Sequence, residues 1–242
     1  MKRYTLTLSV LCGLAATASA QIVVAYWAQN DNDLSTGGFG FAVGDFPQAS
    51  DMGAGLLTLN NFDSSYTNNG VELVYNYIQS FGGTTLSAIG GTDALGSLAP
   101  QAGADLGGGD FSNNGMSIDL LASTVGFSGI TVGWDQRGTS TGFTSRAFSY
   151  STDGGLNFTP VETDTGALGN SWVAKFYDLS SVPELDENPN VVFRITLDGG
   201  TGTLGNNRFD NLQITAAVPE PGTIALIMGG ICLAYVLMRR RK

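Results

Sequence analysis

From Ile22 to Thr215 the apolar residues of this chain recur at every second position in short runs, and the runs stop at Gly, Asn, Asp or Ser. Successive side chains of an extended strand point to opposite faces, so a period of two buries one side of a strand. A helix would need a period near 3.6, and the middle of the chain holds no convincing stretch of it. "GITVGWDQR" sets Ile130, Val132 and Trp134 on one face. "VVFRITL" sets Val191, Phe193, Ile195 and Leu197 inward and Arg194 outward, and "RFDNLQIT" closes the pattern with Leu212 and Ile214 inward. "FTSRAFSYS" puts Phe148 and Tyr150 on one side, with Arg146 on the same parity; "WVAKFYDLS" offers an apolar face of Trp172, Ala174 and Phe176. "IVVAYWA" (22–28) is apolar enough for a buried first strand, followed by "LLTLNNF" (56–62) and "VELVYNYI" (71–78). Gly82 to Gly115, rich in Gly, Ala, Ser and Asp, reads as mainly loop with weak strands. Turn signals at intervals of about ten residues predict an all-β fold, an antiparallel two-sheet jelly-roll-like sandwich.

The two ends follow other rules. Lys2 and Arg3 precede a mostly apolar stretch from Leu6 to Ala16, and Ala18-Ser19-Ala20 supplies small residues. This is the layout of a secretory signal peptide over 1–20, cut between Ala20 and Gln21 by signal peptidase after delivery to the Sec translocon. At the other end Thr223–Met238 is a mostly apolar run of 16 residues. As a helix it would reach about 24 Å, short of the ~30 Å hydrocarbon core unless its edges help. Arg239, Arg240, Arg241 and Lys242 would then stay cytoplasmic and leave the β domain, residues 21–217, outside. The expected organisation is a signal peptide, one β-sandwich ectodomain and a carboxyl-terminal transmembrane helix over 222–238.

Charge and residue types narrow the chemistry. Of 21 acidic and 11 basic residues, all the acids but Glu220 lie in 21–217, with only Arg137, Arg146, Lys175, Arg194 and Arg208 to balance them, a net of −15. Such a field repels phosphate backbones, so no nucleic-acid partner is expected. Neither cysteine, Cys12 or Cys232, falls in the β domain, and the chain has no histidine. Disulfides, Ser-His-Asp and Cys-His catalysis and His-bearing zinc sites are thereby excluded there. An enzyme would have to run on carboxylates or on a metal held by oxygens, and no acid stands in a telling motif. The expected protein is not an enzyme. Calcium is the one cofactor left open, with Asp31, Asp33, Asp198 and Asp210 as candidate ligands. Trp134, Tyr150, Arg146 and Arg194 are the candidate polysaccharide-binding residues, although Trp134 shares its face with core residues.

Val218-Pro219-Glu220-Pro221, followed at once by a short apolar helix and a terminal arginine cluster, resembles the PEP-CTERM sorting signal of Gram-negative bacteria. The resemblance covers residues 218–242. It implies recognition by an exosortase, cleavage near the Pro-Glu-Pro motif, and release or re-anchoring at the cell surface or in a biofilm matrix. Two prolines fix an extended segment next to the bilayer, which suits a protease that grips exposed backbone.

From Gly129 to Thr215 the chain looks like the carboxyl half of exported bacterial jelly-roll modules, which often close with a basic residue, Asp-Asn and a final strand, here Arg208, Asp210 and Asn211. Many carbohydrate-binding modules share that architecture, which implies a sugar ligand. Within it, Ser151-Thr152-Asp153-Gly154-Gly155-Leu156-Asn157-Phe158 has the Asp-box form; a single copy is read as a tight turn. The leading expectation is an exported, non-catalytic surface or matrix protein. Its alternatives are a carboxylate-dependent polysaccharide hydrolase or lyase and a purely structural envelope protein.

Overall fold

Residues 20–30, 40–68 and 72–218, with Gly230, are described by the structure, a computed structural model. Ala18, Asp31, Asp33, Pro219, Glu220, Pro221, the 222–238 segment apart from Gly230, and Arg239–Lys242 lie outside the described residues. Among the described residues no helix is long and apolar enough to cross a membrane.

The period of two builds strands throughout. In chain order they are β1 (Ala20–Trp27), β2 (Gly40–Ala42), β3 (Gln48–Ala49), β4 (Met52–Gly53), β5 (Gly55–Asn60), β6 (Tyr66–Asn68), β7 (Glu72–Ser80), β8 (Leu98–Pro100), β9 (Asp105–Gly107), β10 (Asp110–Phe111), β11 (Ser117–Ala122), β12 (Ser128–Gly138), β13 (Ser145–Ser151), β14 (Thr159–Thr165), β15 (Val173–Asp178), β16 (Val191–Asp198) and β17 (Asn207–Val218). Among the described residues they form a nine-stranded sheet with the central order β15-β12-β17-β8-β7-β2, a six-stranded sheet in the order β14-β13-β16-β11-β5-β3, and the β9–β10 ribbon. β1 also pairs with β17 and with β4. The expected all-β, antiparallel, two-sheet fold is what forms. Residues 21–217 pack into one unit.

Parity decides what fills the space between the sheets. Ile130, Val132 and Trp134 of β12, with Leu212 and Ile214 of β17, enter from the nine-stranded sheet. Val191, Phe193, Ile195 and Leu197 of β16 meet them from the other side, along with Leu57, Ile118, Leu120 and Phe148. Trp134 and Phe148 join the two sheets edge to face, centroids 5.4 Å apart, and Phe148 stacks on Tyr177 at 4.4 Å.

In β15 the apolar parity is not the buried one. Trp172, Ala174 and Phe176 share a side, but Phe176 is 51 % exposed while Tyr177 and Leu179 are buried. Phe176 lies flat over Gly133, its cross-strand neighbour, where a β-carbon would fall 2.3 Å from the ring. A glycine on the outer face of β12 makes room for an aromatic there, and Tyr177 takes the core position.

β17 is the irregular strand. Its register against β12 shifts between Gly133 and Asp135, and Asn211 takes a φ of +50°. Asn tolerates the left-handed region better than a branched residue. This bulge turns Asp210 and Asn211 towards the outer face of the nine-stranded sheet, where the 81–97 segment, joining β7 to β8, lies over them.

Candidate functional site

The residues first considered for sugar binding divide between interior and surface. Trp134 is 1 % exposed and its indole Nε1 donates to Gln136 Oε1 at 3.0 Å. Arg146 is 2 % exposed; its guanidinium donates to the carbonyls of Phe143 (2.7 Å) and Gly166 (3.0 Å) and meets Asp164 at 3.4 Å. Gln136 Nε2 also donates to Asp164, so Trp134 and Arg146 do come together, but in a polar plug between the sheets. Neither can touch a ligand in solvent, which corrects their assignment. Burial pushes Asp164 upward, but Gln136, Arg146 and Lys175 outweigh it and hold its carboxyl below the usual range. Tyr150 is partly buried against the core.

Arg194 alone of the four reaches the outside. It lies on the outer face of the six-stranded sheet, where its Nε and Nη2 each donate to Asp119 at 2.7 Å, and its Cζ sits 3.9 Å from the Phe158 ring centroid. Hydrogen bonding to Asp119 raises its pKa further against the opposing effect of burial. Phe158 is brought there by the 151–158 turn. Asp153 Oδ1 accepts from the amides of Leu156 and Asn157, and Ser151 Oγ accepts from that of Gly155. The Asn157 side chain, donating from Nδ2 to Asp153 Oδ2 at 2.7 Å, leads the bonds that hold Asp153 down at about 2, with Asn157 N and Ser151 Oγ next. The Asp box is a turn, as expected, and it delivers an aromatic ring onto the sheet.

Beside that pair the outer face opens into a groove of about 530 Å³. Its floor is Leu56, Leu121 and Val192, a cross-strand row over β5, β11 and β16. Ser50, Gly53 and Ala54 form one wall, and Gly154, Pro189 and Asn190 the other. No charged side chain lines it. An apolar floor between walls of hydroxyl, amide and backbone polar groups suits a neutral ligand with one apolar face. Sequence reading missed Leu56 and Leu121, because each reads as an ordinary strand residue; the signal was their parity opposite Leu57 and Leu120.

The opposite sheet carries the only carboxyl pair the register sets side by side among the described residues of β12 and β17. Asp135 and Asp210 are cross-strand neighbours, 0 % and 1 % exposed beneath the 81–97 segment. Thr84 N donates to Asp210 Oδ2 at 2.6 Å; Ser87 N and Oγ donate to Asp135 at 2.9 and 2.7 Å. Asn211 Nδ2 donates both to Thr84 O and to Asp135 Oδ2 at 2.8 Å, and its Oδ1 accepts from the Tyr26 hydroxyl at 2.5 Å. Desolvation, with Asp135 adding to it, pushes Asp210 up to about 7 against the bonds from Thr84 and Asn211. This pair latches a loop and faces no open cleft.

Of the candidate calcium ligands, Asp198 is exposed at the end of β16, its Oδ1 accepting from Gly199 N, while Asp210 belongs to the other sheet. Among the described residues no group of three or more Asp, Glu, Cys or His side chains converges on a space for a metal.

No family model and no curated protein matches the chain. Among solved structures, it is similar to the K2 cleaved adhesin domain of Lys-gingipain at 12 % identity, covering 82 % of this chain and 100 % of that one, TM-score 0.40. It is similar to the CBM22-1 xylan-binding domain of Paenibacillus barcinonensis Xyn10C at 11 % identity, covering 83 % and 98 %, TM-score 0.39. A third likeness is to the amino-terminal cellulose-binding domain of Cellulomonas fimi β-1,4-glucanase C, at 12 % identity, 67 % and 89 % coverage and TM-score 0.35.

Proposed function

We propose that this chain is an exported, non-catalytic polysaccharide-binding protein of the cell surface or extracellular matrix. The observation that carries the reading is the uncharged groove over Leu56, Leu121 and Val192. A pyranose ring has an apolar C–H face that fits an aliphatic floor, and equatorial hydroxyls that Ser50, Asn190 and exposed backbone of the walls would meet. Phe158, beside the groove, extends the apolar surface for a second ring. Leu56 is 43 % exposed on the outer face of β5, opposite in parity to the buried Leu57.

The sorting reading joins this one. The signal peptide of residues 1–20 sends the β-sandwich outward, and Val218–Pro221 with the basic end Arg239–Lys242 hands the carboxyl end to an exosortase. A surface polysaccharide is the ligand such a delivered domain would meet.

The test is a glycan array probed with the full-length chain and with Leu56→Asp. The expected result is binding of neutral glycans by the parent and at least about tenfold weaker binding by the variant, with an unchanged melting temperature, since a surface substitution costs little. Silence of the parent across neutral polysaccharides would overturn the reading.

A further inference from the structure

Three of the five basic side chains in residues 21–217 have a carboxylate partner: Arg146 with Asp164, Lys175 with Glu162 and Asp164, and Arg194 with Asp119. Arg137 and Arg208 have none among the described residues. The register nonetheless sets them directly opposite one another on β12 and β17. Like charges in that position destabilise a sheet. Arg208 is held below the usual range by burial and by the charge of Arg137. The Nε of Arg137 is buried and has no hydrogen-bond partner among the described residues. Among the described residues two adjacent guanidiniums thus have no carboxylate partner, although Arg208 Nε donates to Asn206 Oδ1 at 3.4 Å.

Their surroundings define what fits. Both alternate with inward-facing Gln136 and Phe209, so they lie on the outer face of the nine-stranded sheet. Trp172 stands 5.8 Å from the Arg137 guanidinium, and Phe81 stands 4.5 Å from that of Arg208. The row is aromatic, cation, cation, aromatic. Asp135 and Asp210, each two residues away along the same strands, form no ion pair with either arginine; their oxygens accept from Thr84, Ser87 and Asn211.

We infer that the Arg137–Arg208 pair is a second saccharide site, one that holds the carboxylate of a uronic acid residue between the guanidiniums while Trp172 and Phe81 flank the sugar ring. Two guanidinium forks match the two oxygens of a carboxylate better than any single ammonium would. A carboxylate bound there supplies a counter-charge to both guanidiniums. The net charge of −15 argues against dense polyanions such as nucleic acids, whose remaining phosphates the domain would repel. A sparsely charged saccharide escapes that repulsion. The site is on the opposite sheet from the groove and stands without it.

The experiment is calorimetric titration of the full-length chain with cellobiouronic acid (one glucuronate) and with cellobiose, its neutral match. The expected result is binding of the acid about tenfold or more tightly than the neutral sugar, weakening with added salt. Arg208→Met is expected to abolish that preference while leaving the melting temperature equal or higher, because it removes a repulsion. A structural arginine would instead lower it. Should Arg208→Met melt well below the parent, Arg137→Lys carries the test: it keeps the charge and stem but loses the fork, and must lose the preference. Equal affinity for the two sugars, or a preference surviving in both variants, overturns the proposal. Sodium sulfate binding as tightly as cellobiouronate overturns it too, by reducing the pair to a site for ions. Leu56→Asp, which empties the groove, must leave this preference untouched.

Discussion

A carboxyl group folded at 1 % exposure beside a second carboxyl can stay charged only at a cost, and Asp210 instead keeps its proton up to about 7. The consequence is a pH dependence of unusual sign for an acid. In the unfolded chain Asp210 ionises near 3.8, so between that value and about 7 the folded state holds a proton that the unfolded state has lost. Folding is therefore favoured by acidification across this window, and stability declines as pH rises through it, by at most about 1.4 kcal/mol per pH unit for a single proton. The chain has no histidine, so no side chain with an ordinary pKa adds its own titration between pH 5 and 8. Asp153 and Asp164, held low, act only below that range. Thermal melts at constant ionic strength are expected to show a higher melting temperature at pH 5 than at pH 8, and Asp210→Asn is expected to flatten the slope. An equal slope in the variant would assign it elsewhere.

At the scale of elements, the Asn211 side chain ties the 81–97 segment to the strands beneath it. Asn211 joins the first strand through Tyr26, the segment through Thr84, and β12 through Asp135. Gly83 lies so close beneath the latch that a β-carbon would fall 2.0 Å from Gly96 O and 2.3 Å from Asp210 Oδ2. Asn211→Ala is expected to speed amide exchange at Thr84 and Ser87 by about tenfold or more, leaving β16 protected; hydrogen-exchange mass spectrometry reads both. Uniform acceleration would mean the whole sandwich had loosened. The segment also marks where sequence reading ended. Its Gly, Ala, Ser and Asp content identified a loop, but Thr84 and Asp210 are 126 positions apart, and no local period reports such a contact. The inward faces of β12 and β16 were legible because a period of two is all that a half-buried strand requires. β15 shows the limit: parity groups Trp172, Ala174 and Phe176 correctly, yet only Gly133 on the neighbouring strand decides that their side is the outer one. Arg146 was misjudged for a related reason, since its acceptors are backbone carbonyls of Phe143 and Gly166, which composition does not display.

For the whole molecule, the two outer faces are chemically unlike. One offers an uncharged groove beside the Arg194–Asp119 ion pair; the other offers two arginines with no ion-pair partner among the described residues. A polymer mixing neutral and acidic sugars would be bridged between chains by a protein built this way, and removal of either surface should abolish cross-linking without abolishing binding. The sorting reading is tested on the same scale. Intact mass of the protein isolated from its native host is expected to end near Val218–Pro221; recovery of the full chain to Lys242 would refute exosortase cleavage.

β17 leads out of the sandwich at its carboxyl end while lying between β12 and β8 and pairing also with β1. Tension on a tethered carboxyl end would run lengthwise along this strand. Its ladders would then be loaded in shear, many bonds sharing the pull at once, rather than opened one after another as at a sheet edge. Dragging it out would also tear Asp210 and Asn211 from the loop above. A domain held by that end would therefore resist the pull along the whole length of β17 at once.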